Sequence, residues 1–179
     1  MYITKTSLLL LLLTASYLVP AAGATATNEP DPFALNETKL VTITKKQNIR
    51  VVYEAKDDVQ DAGIGKALYY VRGLLESYKA LGVPQKELKI SIVLHGSAAY
   101  WVLNESTYQQ FKNDDFAFNP NEHVIQELLK HGVSVEVCQV SLRSKGWTGQ
   151  DILPGVTVVR DAYTRIIDLQ QQGYAYIRF

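Results

Sequence analysis

The chain has 179 residues, 18 bases against 18 acids, 47% hydrophobic residues and one cysteine. Its balanced charge argues against nucleic acid as a standing partner, because phosphate binding needs a basic face. A single cysteine excludes an internal disulfide, so the core must hold the fold. The thiol then pairs with another molecule, stays reduced and reactive, or is buried.

Lys5, the leucine run Leu8–Leu13 and the small residues A-A-G-A-T-A after Pro20 predict a signal peptide over residues 1–24. Thr14 and Ser16 interrupt the apolar run, which falls short of the about 20 residues that span a bilayer. The chain is therefore expected to be exported, to the periplasm, with no stable membrane insertion after signal removal. A retained N-terminal anchor is the alternative. Residues 25–47, opening T-A-T-N-E-P-D-P-F, predict a linker or extended arm.

From residue 48 to 179, short β-rich runs alternate with helical patterns. Strands are predicted at Ile49–Glu54, Leu88–Leu94, Val133–Val137, Val156–Val159 and Tyr174–Ile177. A helix is predicted from Asp61 to Leu81, where Ile64, Leu68, Val71, Leu75 and Tyr78 form one apolar stripe that Gly82 and Pro84 end. The segment from Ala98 to Phe118 is irregular and aromatic, with room for one helix and a loop. Val124, Ile125, Leu128 and Leu129 mark a further helix over Asn121–His131, and Asp161 is a plausible N-cap for another that Gly173 ends. Strand–helix alternation at this spacing implies crossover connections. The expected fold is α/β, a three-layer α/β/α sandwich around a mainly parallel sheet of about five strands.

In such a sheet, ligands collect beyond the carboxyl ends of the strands. That rule gathers Lys56, Asp57 and Asp58, then His95, Gly96 and Ser97, then Cys138, then Arg160 and Asp161, along one edge. Cys138 precedes a predicted helical turn, and Arg143 and Lys145 follow it; helix dipole and positive charge both favour thiolate. An inert buried thiol is the competing reading. His95 could carry protons or hydrogen-bond an anion, or merely satisfy a loop carbonyl. Tyr100 and Trp101 could wall a pocket or fill a subunit contact. Asp57 and Asp58 look like solvated loop acids. No H-x-x-x-H or C-x-x-C spacing occurs, so neither a metal nor a cofactor is expected. The Gly63-Ile64-Gly65 triplet lacks a third glycine and lies at a helix start, which sets aside a dinucleotide loop.

The series I-R-V-V-Y-E, L-Y-Y-V-R-G-L-L-E-S-Y-K-A-L-G and L-K-I-S-I-V-L-H-G resembles the DsrE-like proteins of the DsrE/DsrF sulfur-relay superfamily, in particular exported single-domain members. L-L-K-H-G-V-S-V-E-V-C, D-I-L-P-G-V-T-V-V and L-Q-Q-Q-G-Y-A-Y-I extend the likeness over residues 48–179. The resemblance implies a small α/β/α domain that assembles into homo-oligomers. Intracellular relay members carry a persulfide on a strand-end cysteine followed by a basic stretch and a glycine. C-Q-V-S-L-R-S-K-G resembles that element, so the role transfers to Cys138. The leading expectation is a sulfurtransferase-like carrier or sensor of sulfane sulfur, with Cys138 and His95 as catalytic residues and Gly96, Ser97, Tyr100 and Arg143 binding the ligand. Its partners would be a thiol or persulfide donor or acceptor protein, or a small sulfur species. The alternative is a non-catalytic oligomeric module that binds a small ligand or partner. No serine elbow or paired acids support a hydrolase.

Overall fold

The structure, a computed structural model, describes residues 41–179. The signal peptide expected over residues 1–24, and the arm as far as residue 40, lie outside the described residues.

Five strands form one all-parallel sheet: β1 (Ile49–Ala55), β4 (Leu88–Leu94), β5 (Ser134–Cys138), β6 (Thr157–Val159) and β7 (Ala175–Arg178), in the order β6-β5-β4-β1-β7. Val, Ile and Leu are frequent in the central strands β1, β4 and β5 because interior strands of a parallel sheet bury both faces, whereas the edge strands β6 and β7 are largely exposed. The helices α1 (Lys66–Ala80), α2 (Glu105–Lys112), α3 (Glu122–Lys130), α4 (Gln139–Ser144) and α5 (Ala162–Gln171) connect them.

Helix α1 begins later than the apolar stripe alone predicts. Gln60–Asp61 (β2) and Ile64–Gly65 (β3) pair antiparallel as a miniature hairpin whose turn carries Ala62 and Gly63 at φ of 49° and 79°. A left-handed turn of this kind stops helix from propagating backward, and glycine accepts it at low cost. Gly65 then meets the indole of Trp101 so closely that a Cβ would lie 2.4 Å from the ring. The glycines of G-I-G thus serve a turn and a packing contact. Asp161 caps α5 as expected, its carboxylate accepting from the Thr164 amide at 2.9 Å.

The two faces of the sheet differ. Val51, Tyr53, Ala55, Ile90, Ile92, Leu94, Val133, Val135 and Val137 share one buried cluster with Leu68 and Val71 of α1, Ile125 and Leu128 of α3, and Trp101. On the opposite face Val52, Val93 and Cys138 pack only with Ala162, Ile166 and Leu169 of α5 among buried residues. The remaining positions on that face include ionisable groups: Glu54, His95 and Glu136 are 4%, 5% and 1% exposed. A buried charge needs partners, and each of these has them.

Glu136 accepts from Nε and Nη2 of Arg165 at 2.7 and 3.0 Å, and from the hydroxyls of Ser91 and Ser134 at 2.8 and 2.9 Å. Arg165 also donates to Asp168 at 2.7 Å. Burial works against ionisation of Glu136, yet these hydrogen bonds and the guanidinium charge prevail and hold its carboxyl below the ordinary value. No helix among the described residues is long and apolar enough to cross a membrane.

Candidate functional site

The register of β4 against β5 ends at Leu94↔Val137, so the next step sets His95 beside Cys138 at the carboxyl ends of adjacent strands. On the other side of β4 the strand stays paired through that step, since the His95 amide donates to the Ala55 carbonyl of β1 at 2.9 Å. Side chains alternate along a strand, so Val93 and His95 share a face, as do Glu136 and Cys138. Both chemical groups therefore stand on the α5 side.

The sequence expectation that His95 and Cys138 are neighbours agrees with this register. The expectation of an open, basic thiol does not agree with the packing. Cys138 is 3% exposed and packed with Val52, Val93, Ala162, Ile166 and Leu169. It is the N-cap of α4, but that helix has only six residues. Arg143 lies in the last turn of α4, exposed and in no ion pair among the described residues. Lys145 lies over the Trp147 ring at 5.6 Å. No hydrogen bond joins Sγ to the imidazole. The groove of about 470 Å³ between β5, β6 and α5 is lined by Glu136, Val159, Arg160, Thr164 and Arg165, not by the thiol.

His95 is held by a residue the sequence reading passed over. Its Nε2 lies 2.8 Å from Oε1 of Glu54, both side chains being buried. The other carboxylate oxygen accepts from the Tyr176 hydroxyl, and Arg178 Nε stands 3.9 Å from it. Register accounts for the cluster: Glu54 pairs with Val93 on one side and with Arg178 on the other, and Tyr176 comes from two positions earlier in β7. Burial opposes the Glu54 charge, but hydrogen bonds from Tyr176 and His95, with Arg178 nearby, keep its carboxyl below the ordinary value. Burial, followed by the Glu54 carboxylate, pushes the Tyr176 hydroxyl up to about 12. The edge of the Tyr163 ring closes on the imidazole, centroids 5.2 Å apart at 73°.

Three of the four residues expected to bind ligand, Gly96, Ser97 and Tyr100, make hydrogen bonds within the protein; the Arg143 side chain makes none among the described residues. The Gly96 amide donates to Ser141 Oγ at 2.9 Å; its φ of +57° and the Lys56 carbonyl, 2.7 Å from any added Cβ, require glycine. Ser97 Oγ accepts from the Asp58 amide at 2.9 Å and donates to the Lys56 carbonyl at 3.3 Å. Tyr100 is 4% exposed and Trp101 1%, so both rings belong to the core and not to a subunit contact.

Asp58, read from sequence as a solvated acid, is exposed and also gathers this loop. Its Oδ1 accepts from the Tyr100 hydroxyl at 2.8 Å, Trp101 Nε1 at 2.9 Å and Gln60 Nε2 at 3.3 Å. Burial resists the Asp58 charge, but hydrogen bonds from Trp101, Tyr100 and Gln60 and the Lys112 charge hold its carboxyl below the ordinary value. Burial first, and then Asp58, push the Tyr100 hydroxyl up to about 12. Lys112 Nζ sits 5.1, 5.5 and 5.4 Å over the rings of Tyr100, Tyr108 and Phe111.

A parallel five-stranded α/β domain with a cysteine and a carboxylate-bound histidine paired at its carboxyl rim is the class these observations define. Residues 59–179 match the DsrE/DsrF-like family, and the chain belongs to it. His95, Cys138 and Tyr176 fall inside the matched span; Glu54 falls before it. Among solved structures, the chain is similar to the protein of unknown function MTH1491 from Methanobacterium thermoautotrophicum, at 24% identity and a TM-score of 0.55. That match covers 73% of this chain and 99% of the other, and it supports the fold. No curated protein matches the sequence.

Proposed function

We propose that this chain handles sulfane sulfur through Cys138, as a persulfide carrier or sensor, with His95 as the proton acceptor. One observation carries the reading: the only thiol of the chain and a carboxylate-anchored imidazole occupy neighbouring positions on one face of the sheet rim. Membership of a family built on the sulfur-relay fold supports it.

In the proposed step the Cys138 thiol loses its proton to His95. The thiolate then attacks the sulfane sulfur of a low-molecular-weight persulfide or an inorganic polysulfide. A new S–S bond forms on Cys138, the donor's S–S bond breaks, and the donor leaves as a thiolate carrying the electron pair. Return to an acceptor thiolate reverses the exchange. Because the thiol is buried, transfer requires local opening at the short α4 end of the rim, a motion of the low-stability kind. Release of the chain to the periplasm, proposed from its N-terminal residues, would place this chemistry outside the reducing cytoplasm.

A second reading has its own support. Burial of Cys138 among aliphatic groups fits a small-ligand or interaction module in which the cysteine is packing alone. Trapping persulfides by alkylation and mass spectrometry separates the two. The carrier reading expects sulfur on Cys138 of the wild type and a much slower appearance in His95→Ala. Equal rates in both proteins remove His95 from the step. Ligand binding that survives Cys138→Ser, with no persulfide formed, favours the module.

A further inference from the structure

The buried cluster around His95 fixes which ring nitrogen does the work. Glu54 has its carboxyl held in the ionised range, and an ionised carboxylate only accepts hydrogen bonds. The nitrogen bonded to it, Nε2, must therefore carry the hydrogen. Among the described residues Nδ1 has no hydrogen-bond partner. Nor is any buried side-chain nitrogen or oxygen among the described residues left without one, so Nδ1 reaches solvent. In the neutral ring Nδ1 is then the acceptor and has some access to solvent, although the histidine as a whole is only 5% exposed.

We propose that Glu54 is a positioning residue that holds His95 as the Nε2–H tautomer, turning Nδ1 toward the rim as the proton-accepting nitrogen, with Tyr176 clamping the carboxylate. The kinetic part of this proposal rests on the thiol reading above; the tautomer does not. The groups that face the imidazole are Glu54 from β1, Tyr163 from α5, and, through Glu54, Tyr176 and Arg178 from β7. Strand β7 is thereby tied to the site: the last strand of the sheet supplies the hydroxyl that orients the acid. A carboxylate in this place also favours the imidazolium that forms once Nδ1 takes a proton.

Long-range nitrogen–proton NMR on the full chain, labelled at histidine, reads the tautomer directly. The wild type is expected to show Nε2–H for His95 near neutral pH; a predominantly Nδ1–H ring overturns the proposal. Glu54→Gln keeps the shape but can offer either its oxygen or its amide nitrogen to Nε2. The fixed tautomer should become a mixture, and persulfide formation on Cys138 should slow at least about tenfold, as orienting partners commonly contribute. Tyr176→Phe should keep the Nε2–H tautomer with a smaller loss of rate. An unchanged tautomer and rate in Glu54→Gln contradict the positioning role. If Glu54→Gln does not fold, the wild-type tautomer decides. A fixed Nε2–H ring beside a Cys138 that never takes sulfur upholds the positioning and removes the sulfur reading, so the two can fail separately.

Discussion

The two faces of the sheet are built from the same five strands and do different things. Toward α1 and α3, the inward positions of the three central strands are all apolar, and the cluster they form includes the largest buried side chain, Trp101. Toward α5, apolar positions alternate with Glu54, Ser91, His95, Ser134 and Glu136, and one helix covers the middle. The first face is a core that needs no directional contacts. The second holds charges away from water, and each survives there only because hydrogen bonds and a counter-charge offset its desolvation. Such a face has little advantage for stability alone. The proton and sulfur exchange proposed above would use it.

Substitutions on the two faces should therefore fail for different reasons. The largest loss is expected from Arg165→Ala, which strands the buried Glu136 carboxylate: about 3–5 kcal/mol in urea unfolding. Replacing the pair together, Glu136→Leu with Arg165→Met, should recover most of that loss, because a matched apolar pair removes both desolvation terms. Next comes Leu68→Ala in the apolar core, about 2–4 kcal/mol from lost transfer energy and a cavity that no polar substitution elsewhere rescues. If the double replacement is as damaging as Arg165→Ala alone, the electrostatic account of the α5 face fails.

Titration sharpens the same contrast. Glu54, Asp58 and Glu136 have carboxyls held below their ordinary values. Their contribution is fully present above the ordinary carboxyl range and is lost as pH falls through the folded-state values. Tyr100 and Tyr176 work in the other direction: raised from 10.0 to about 12, they contribute stability below the ordinary value that is lost as pH rises toward 12. Urea midpoints measured from pH 3 to pH 7 should rise in the wild type and rise less in Glu136→Leu/Arg165→Met. The smallest effect is expected at the thiol: Cys138→Ala should lower stability by about 1 kcal/mol, and Cys138→Ser by somewhat more because its hydroxyl is buried among aliphatic groups.

Much of the fold is legible in the sequence because β-branched runs and three- and four-residue apolar spacings are strong local signals. Leu88–Leu94 is a strand at its predicted limits, and Asp161 caps α5. The start of α1 is not legible, because a helical stripe continues through Ile64 while Ala62 and Gly63 turn the backbone left-handed. At the site, the strand-end rule reaches His95 and Cys138 but overlooks Glu54, which lies inside its strand and not beyond it. Its signal is an acid in a run otherwise suited to burial, I-R-V-V-Y-E-A, and the same holds for Glu136 in S-V-E-V-C. Partners so distant in sequence as Tyr176 and Arg178 come only with the strand order. The bonds of the Gly96 amide to Ser141 and of the Ser97 hydroxyl to the Asp58 amide come only with the tertiary fold.

Competition for limiting polysulfide between the folded protein and a peptide spanning Val133–Trp147 tests the central claim most directly. Sulfur should appear on Cys138 of the folded chain at least as fast as on the peptide thiol. A labelled peptide beside a folded Cys138 that stays bare would contradict it and leave the cysteine as packing alone.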